Sequence, residues 1–364
     1  MKSPFSTGLL RRALQQASRL GHASGAQSLQ RLMAEATTEA GAFAFLGRLP
    51  NPGGVVAPLL DGLGLRVPSP ARPGDHAPPT EVGGMLAGTY TGSEGARPYR
   101  LFVPPRRLAG RIAGRPRLIV MLHGCTQTAE DFATGTGMNR YAGAADCLVL
   151  YPEQVSRANP QRCWNWFNPA DQQRDHGEPA LIAGMTRQVM AQYDVDPAAI
   201  FVAGLSAGGA LAVIMAEAYP DLFAAVGVHS GLACGAATDM ASAFAAMRQG
   251  RPGASRAGAA IPAIVFHGDR DSTVNPRNAI EVVAQLAGAA SQDAGAGEAG
   301  QAQGGLGYTR TVHRGADGTE AMEQWVVHGA GHAWSGGSSA GSYTEPAGPD
   351  ASAEMLRFFL AHQR

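Results

Sequence analysis

The chain has 364 residues, enough for one large domain with an appendage. Lys+Arg and Asp+Glu both number 29, so the formal net charge is zero, which argues against nucleic acid or an anionic membrane surface as the main partner. No stretch approaches the ~18 consecutive apolar residues of a transmembrane helix, and 48 Gly with 24 Pro fall short of a wholly disordered composition.

The N-terminus, "MKSPFSTGLLRRALQQASRLGHASGAQ", carries Arg11 and Arg12 but lacks the apolar core of about 7 to 15 residues of a secretory or twin-arginine signal. A location inside the cell is therefore expected over secretion, unless a leader has been removed. Leu9, Leu10, Ala13, Leu14 and then Leu29, Leu32 and Met33 recur at helical spacings. They predict a helical N-terminal extension over 1–49, which either packs on its own domain or docks to a partner or granule surface. Residues 50–83 are rich in Pro and Gly without sustained periodicity and read as a linker.

From 84 to 364, short apolar runs alternate with helical patterns. "RPYRLFVP", "RLIVMLHG", "CLVLYP", "AIFVAGLS", "AAVGVHSG", "AIVFHGD" and "EQWVVHGAG" read as strands. Helices are expected near 129–145, 178–193, 207–218, 275–287 and 350–362. This alternation predicts an α/β domain with a mostly parallel sheet covered on both faces, its functional groups at the strand C-termini. The Ala/Gly tract 287–307 reads as a loop insertion.

"GLSAG" places Ser206 between Gly204 and Gly208, at the junction of a predicted strand and a predicted helix. That context turns a common pentapeptide into a candidate nucleophile elbow, although tight connections of small residues also produce it. Serine needs a histidine base, and the base needs an acid to orient it. In the hydrolase order Ser, acid, His, "HGDRDST" offers Asp269 and Asp271 and "VVHGAGHAW" offers His328 and His332. Asp271 is preferred because it lies farther past its strand, with Asp269 as a turn former. His332 is preferred because it follows a Gly-rich turn, with His267 and His328 as structural histidines. The oxyanion donors are expected to be the N–H groups of Ala207 and of Cys125 in "HGCTQT". His123 reads as a turn residue, and Asp175 or Glu178 as the cap of the helix that begins near 178.

The four cysteines, Cys125, Cys147, Cys163 and Cys234, make neither a disulfide scaffold nor a zinc pattern, and Cys147 reads as a buried small hydrophobe. Trp164, Trp166 and Trp334 are candidate substrate-binding residues, with core packing as the other reading.

Together, "YRLFVP", "MLHGCTQTAEDF", "LYPEQ", "CWNWF", "GLSAGG", "YPDLFAAVGVHSG", "HGDRD" and "GAGHAWSGG" resemble the polyhydroxybutyrate depolymerase-type esterases of the α/β-hydrolase fold, to which feruloyl and acetyl xylan esterases are related. The resemblance spans about residues 86 to 364. It implies Ser206 as nucleophile, Asp271 as acid and His332 as base, with no metal or organic cofactor and an ester or polyester as partner. By the same analogy of fold, the loops of Cys125 and Cys163 lie at one end of the sheet, and the pair is either bridged or reduced. Feruloyl or acetyl xylan esterase activity is the alternative, and a granule-associated binding protein that retains the fold is the non-enzymatic one.

Overall fold

The computed structural model describes residues 84–108, 110, 114–252, 261–287, 293–315, 318 and 320–364. The expected helical extension and linker lie outside the described residues. In chain order the elements are β1 (Met85–Gly92), β2 (Gly95–Phe102), α1 (Pro105–Leu108), β3 (Arg117–Leu122), α2 (Ala129–Thr136), α3 (Met138–Ala144) and β4 (Cys147–Pro152). A 3₁₀ turn (Pro169–Gln172) leads to α4 (Gly177–Tyr193), β5 (Ile200–Leu205), α5 (Ala207–Ala218), β6 (Ala225–His229), α6 (Met240–Gln249), β7 (Ala263–Gly268) and α7 (Arg277–Ala287). The chain closes with β8 (Asp293–Ala294), β9 (Glu298–Gln301), β10 (Gly307–Arg314), β11 (Glu320–Val327), β12 (Trp334–Ser335), β13 (Thr344–Glu345) and α8 (Ala351–Ala361).

The main sheet runs β1-β2-β4-β3-β5-β6-β7-β11-β10-β8, with β9 also paired to β10. From β4 to β11 neighbouring strands are parallel. Antiparallel strands flank this core at both edges. Strand period divides the apolar residues between two layers. On β3, Leu118, Val120 and Leu122 join the layer with α4, α5, α6 and α7, whereas Ile119 and Met121 join the layer with α2, α3 and α8. Both faces being covered, β4, β5 and β3 beyond Arg117 are continuously apolar rather than alternating, as the sequence led us to expect of a parallel sheet.

Three expectations change. The helix expected over 129–145 is two helices, because Gly137 adopts φ 61° and ends α2. The Ala/Gly tract expected as a loop contributes β9, which pairs with β10 from Gly307 to Arg310. Backbone pairing along a sheet edge does not require an alternating side-chain pattern, so composition did not reveal it. The strands β1 and β10 and the helix α6 were not anticipated: β1 is interrupted by Gly and Thr, and α6 is Ala-rich with only Ala243 and Ala246 buried.

The C-terminal ends of β3, β5, β7 and β11 lead into the segments carrying Gly124, Ser206, Asp271 and His332. The tightest of these connections joins β5 to α5. A Cβ built on Gly208 would stand 2.0 Å from the carbonyl oxygen of Leu122 and 2.5 Å from that of His123. On Gly204 it would meet the Gly208 carbonyl carbon at 2.4 Å. These are backbone atoms that cannot rotate away, so Gly208→Ala is expected to lower the unfolding free energy by about 2 kcal/mol or more. An unchanged denaturant midpoint would mean that α5 and β3 separate freely.

Candidate active site

Ser206 sits at φ 57°, ψ −119°, a region that non-glycine residues rarely occupy and that costs on the order of 1–3 kcal/mol. It is held there by its own N–H, which donates to the carbonyl of His229 at 2.9 Å, and by the burial of both neighbours, Leu205 and Ala207. Between Phe201 and Ala216 only Ser206 is not buried. The turn thus lifts one hydroxyl-bearing side chain out of an apolar strand and a helix that is apolar from Ala207 to Ala216.

Asp271 and His332 are brought together: Nδ1 of His332 lies 2.7 Å from Oδ2 of Asp271, whose side chain is fully buried. The other carboxylate oxygen accepts the N–H groups of Thr273 and Val274 at 2.9 and 2.8 Å. Burial alone would raise the Asp271 pKa. Hydrogen bonds from His267 and His332, the charge of His332 and the Val274 N–H outweigh it and hold the carboxyl well below the usual range. An ionised carboxylate only accepts, so Nδ1 of His332 is the donor, and in the neutral imidazole it is Nε2 that presents the lone pair.

Asp269 and His328 make a second pair at 3.0 Å, but it is exposed, and Asp269 also takes the N–H of Gly329; both contacts reach across to the segment after β11, so Asp269 does not make the local turn bonds expected of it. His267 donates to the carbonyl of Val274, a structural bond. Among the described residues no hydrogen bond joins the Ser206 side chain to His332. The two segments are tied through His229, whose carbonyl accepts the Ser206 N–H and whose Nε2 accepts the Ser335 N–H at 3.0 Å. Catalytic hydrogen bonds are often long before a substrate arrives.

The segment after β3 passes close beside the serine: a Cβ on Gly124 would lie 3.7 Å from that of Ser206. Nearly every polar backbone group in the segment is occupied. The His123 carbonyl accepts the Trp164 indole N–H, the Gly124 carbonyl accepts His123 Nδ1–H, the Gly124 N–H donates to Gln127, and the Thr126 N–H donates to Gln161. The Cys125 N–H has no acceptor among the described residues, and neither has the Ala207 N–H, one of the free donors on the first turn of α5. Cys125 is bonded to Cys163, with Cα atoms 4.2 Å apart, so the pair is bridged. Cys147 is buried, and burial pushes its thiol up to about 12, in keeping with a small hydrophobe. Among the described residues no cluster of His, Cys, Asp and Glu is arranged to hold a metal, and no helix is long and apolar enough to cross a membrane.

The family model described as Esterase PHB depolymerase matches residues 97–305, more than half of the chain. The chain belongs to that family. Within it, the chain is 34% identical over 261 residues to poly(3-hydroxyalkanoate) depolymerase C of Paucimonas lemoignei, covering 68% of this chain and 62% of that protein. It is 30% identical over 196 residues to feruloyl esterase B of Neurospora crassa, 48% of this chain and 65% of the relative. Acetylxylan esterase A of Talaromyces purpureogenus is 29% identical over 198 residues, 49% and 50% of the two chains. The chain thus spans less than two thirds of the length of these curated relatives. The solved acetyl xylan esterase from Aspergillus awamori superposes with a TM-score of 0.56 at 22% identity, covering 69% of this chain and 94% of that one, which shows a shared α/β-hydrolase fold.

Seen as an Esterase PHB depolymerase domain, the site departs from expectation in its aromatic residues. Trp164, Trp166 and Trp334 are 0%, 5% and 1% exposed and belong to the core layers, so they offer no surface to a substrate. Trp334 donates its indole N–H to Ser352 and stacks on His229. Neither Asp175 nor Glu178 caps α4: the carboxylate of Asp171 accepts the Glu178 N–H at 2.8 Å. Sequence reasoning also missed His229 and the burial of His123. Each follows or closes an apolar strand, "AVGVH" and "RLIVMLH", which was the available signal.

Burial lowers the pKa of His123 to about 4, against the hydrogen bond to Gly124. Burial, with the charges of His267 and His332, lowers that of His229 to about 3. The unfolded chain protonates both near 6.5, so below that pH it binds more protons than the fold, and stability falls as pH drops from about 6.5 toward 4. Glu178, pushed up to about 7, acts in the opposite sense between about 4.5 and 7, so a variant must isolate the histidine contribution. His229→Asn is expected to flatten the plot of unfolding free energy against pH over this range, while parallel curves would show that His229 titrates normally.

The disulfide closes a loop with a sequence separation of 38 residues. By the chain-entropy account this is worth about 4 kcal/mol, and Cys163→Ser is expected to lose a stability of that order. A denaturation midpoint equal to the parent's would show that the bridge contributes nothing.

Proposed function

We propose that the chain is a serine ester hydrolase that cleaves short-chain hydroxyalkanoate esters or oligomers. The observation that carries this reading is the Ser206 turn, a strained, partly exposed serine between a buried strand and a buried helix. It is supported by the Asp271–His332 pair and by two N–H groups, of Cys125 and Ala207, left without internal acceptors among the described residues.

In this mechanism Ser206 Oγ attacks the ester carbonyl while His332 Nε2 takes its proton, and Asp271 stabilises the imidazolium that results. The developing oxyanion is received by the Cys125 and Ala207 N–H groups. His332 then returns the proton to the leaving alcohol, giving an acyl-enzyme. Water, deprotonated by His332, releases the acid and restores Ser206. The Paucimonas relative favours hydroxyalkanoates as the acyl class, whereas the Neurospora and Talaromyces relatives favour feruloyl or acetyl groups as the second reading.

Turnover of p-nitrophenyl butyrate tests the chemistry, and a side-by-side assay on polyhydroxybutyrate, methyl ferulate and acetylated xylan tests the substrate. Ser206→Ala is expected to lose at least ~1,000-fold in kcat while folding normally. Asp271→Asn is expected to be of similar severity and Asp269→Asn to stay within about tenfold of the parent. Activity in Ser206→Ala would end the serine mechanism, and the reverse order of the two aspartate variants would move the acid to Asp269.

A further inference from the structure

Behind the Gly124–Cys125 peptide lies a buried polar cluster that none of the steps above uses. Its centre is the Glu178 carboxylate, on the first turn of α4 and 3% exposed. Oε2 accepts the Asn165 backbone N–H, and Oε1 accepts both Asn165 Nδ2–H and Gln154 Nε2–H; the Asn165 bonds are 2.7 Å long. Gln154, fully buried, also donates to the Cys163 carbonyl at 3.0 Å and accepts from Arg97 Nε at 2.9 Å.

Two connections run from this cluster to Cys125. In the first, the Gln154 backbone N–H donates to His123 Nε2 at 3.0 Å. With Nε2 occupied as an acceptor, the proton of the neutral imidazole sits on Nδ1, which donates to the Gly124 carbonyl at 2.7 Å. That carbonyl and the Cys125 N–H belong to one peptide. Because the peptide is planar and trans, a bond that holds the oxygen also sets the direction of the N–H. In the second connection, Gln154 and Glu178 hold Cys163 and Asn165, and Cys163 is bonded to Cys125. Both end on the two sides of the same N–H.

We propose that Glu178, acting through Gln154 and His123, is a positioning residue that aims the Cys125 N–H at the oxyanion of the reacting ester. The inference rests on the proposed role of Cys125 as an oxyanion donor. Every contact that Glu178 makes through its oxygens is with an N–H group, so the arrangement suits an ionised carboxylate and no other side chain of that length. In Glu178→Gln one oxygen becomes an NH₂ that faces only donors, and the cluster must rearrange. Burial and the neighbouring Asp171 favour the neutral acid and outweigh Asn165, Gln154 and the more distant Arg97 guanidinium, so the carboxyl is pushed up to about 7 and carries its charge above that pH. An ordinary packing role would not need a carboxylate here, where its desolvation is costly.

The test compares Glu178→Gln with the parent and with Ser206→Ala, using p-nitrophenyl butyrate and an alkyl trifluoromethyl ketone, which forms a tetrahedral adduct on the nucleophile. Glu178→Gln is expected to lower kcat by ~10- to 100-fold with KM within about threefold, and to weaken ketone binding by the same factor as kcat. A role in folding alone would lower the denaturation midpoint and leave kcat and ketone affinity of the folded fraction unchanged. That result, with Ser206→Ala inactive, would overturn the positioning role and leave the esterase reading intact. Full turnover in Ser206→Ala would overturn both. Should Glu178→Gln not fold, Asn165→Ala, which removes one donor to the carboxylate, is expected to lower kcat by ~3- to 10-fold with the same split, and parent-like kcat would overturn the inference.

Discussion

The first turn of α5 passes against the end of β3 so closely that no side chain fits between them. The Leu122 carbonyl stands where a Gly208 Cβ would be, and Gly208 stands where a Gly204 Cβ would be. This close approach forces the abrupt turn at Ser206 and its positive φ, and the bond from the Ser206 N–H to His229 maintains it. It also brings the start of α5 beside the segment after β3, where a Cβ on Gly124 would lie 3.7 Å from that of Ser206. Strain at one residue is tolerated because the apolar layers on both faces of β5 determine the path of its neighbours.

Around this turn the interior is unusually polar. His123, His229, Gln154, Glu178 and Asp271 are all nearly without exposure, in a domain whose central strands are otherwise apolar. Each is hydrogen-bonded, and each side chain makes at least one of its bonds to a backbone group of a loop or of another segment. In a low-dielectric setting such bonds are strong and directional, and a missing partner is costly. The result is that loops, ordinarily the least ordered parts of a fold, are held by groups rooted in the sheet. The Cys125–Cys163 bond adds a covalent tie to the same segment.

The aromatic side chains serve this framework rather than a binding surface. Trp164 braces the His123 carbonyl, and Trp334 lies between Phe132 and His229 and donates to Ser352. An indole buried with its N–H satisfied fills a large volume and fixes the position of a polar neighbour in one step. Tyr343, in contrast, is half exposed at φ 51° and its hydroxyl meets Thr126, one residue beyond Cys125.

The amino-acid sequence by itself determined the parallel core and its helices, because continuous apolar runs and helical periodicity are local properties of covalent order. It also determined the candidates Ser206, Asp271 and His332, since a serine flanked by glycines at a strand–helix junction, followed by an acid and a base after later strands, can be read without knowing distances. Three-dimensional packing decided what no local pattern records. It joined Asp271 to His332 in a buried bond, buried the three tryptophans, extended the sheet with β9 and β10, and converged Glu178, Gln154 and His123 on one peptide. Those residues lie far apart in the chain, and the identity of a glutamate or a histidine does not say whether folding will leave it in water or surround it with N–H groups. Its environment is set by the packing of separate elements, and that is a property of the tertiary structure alone.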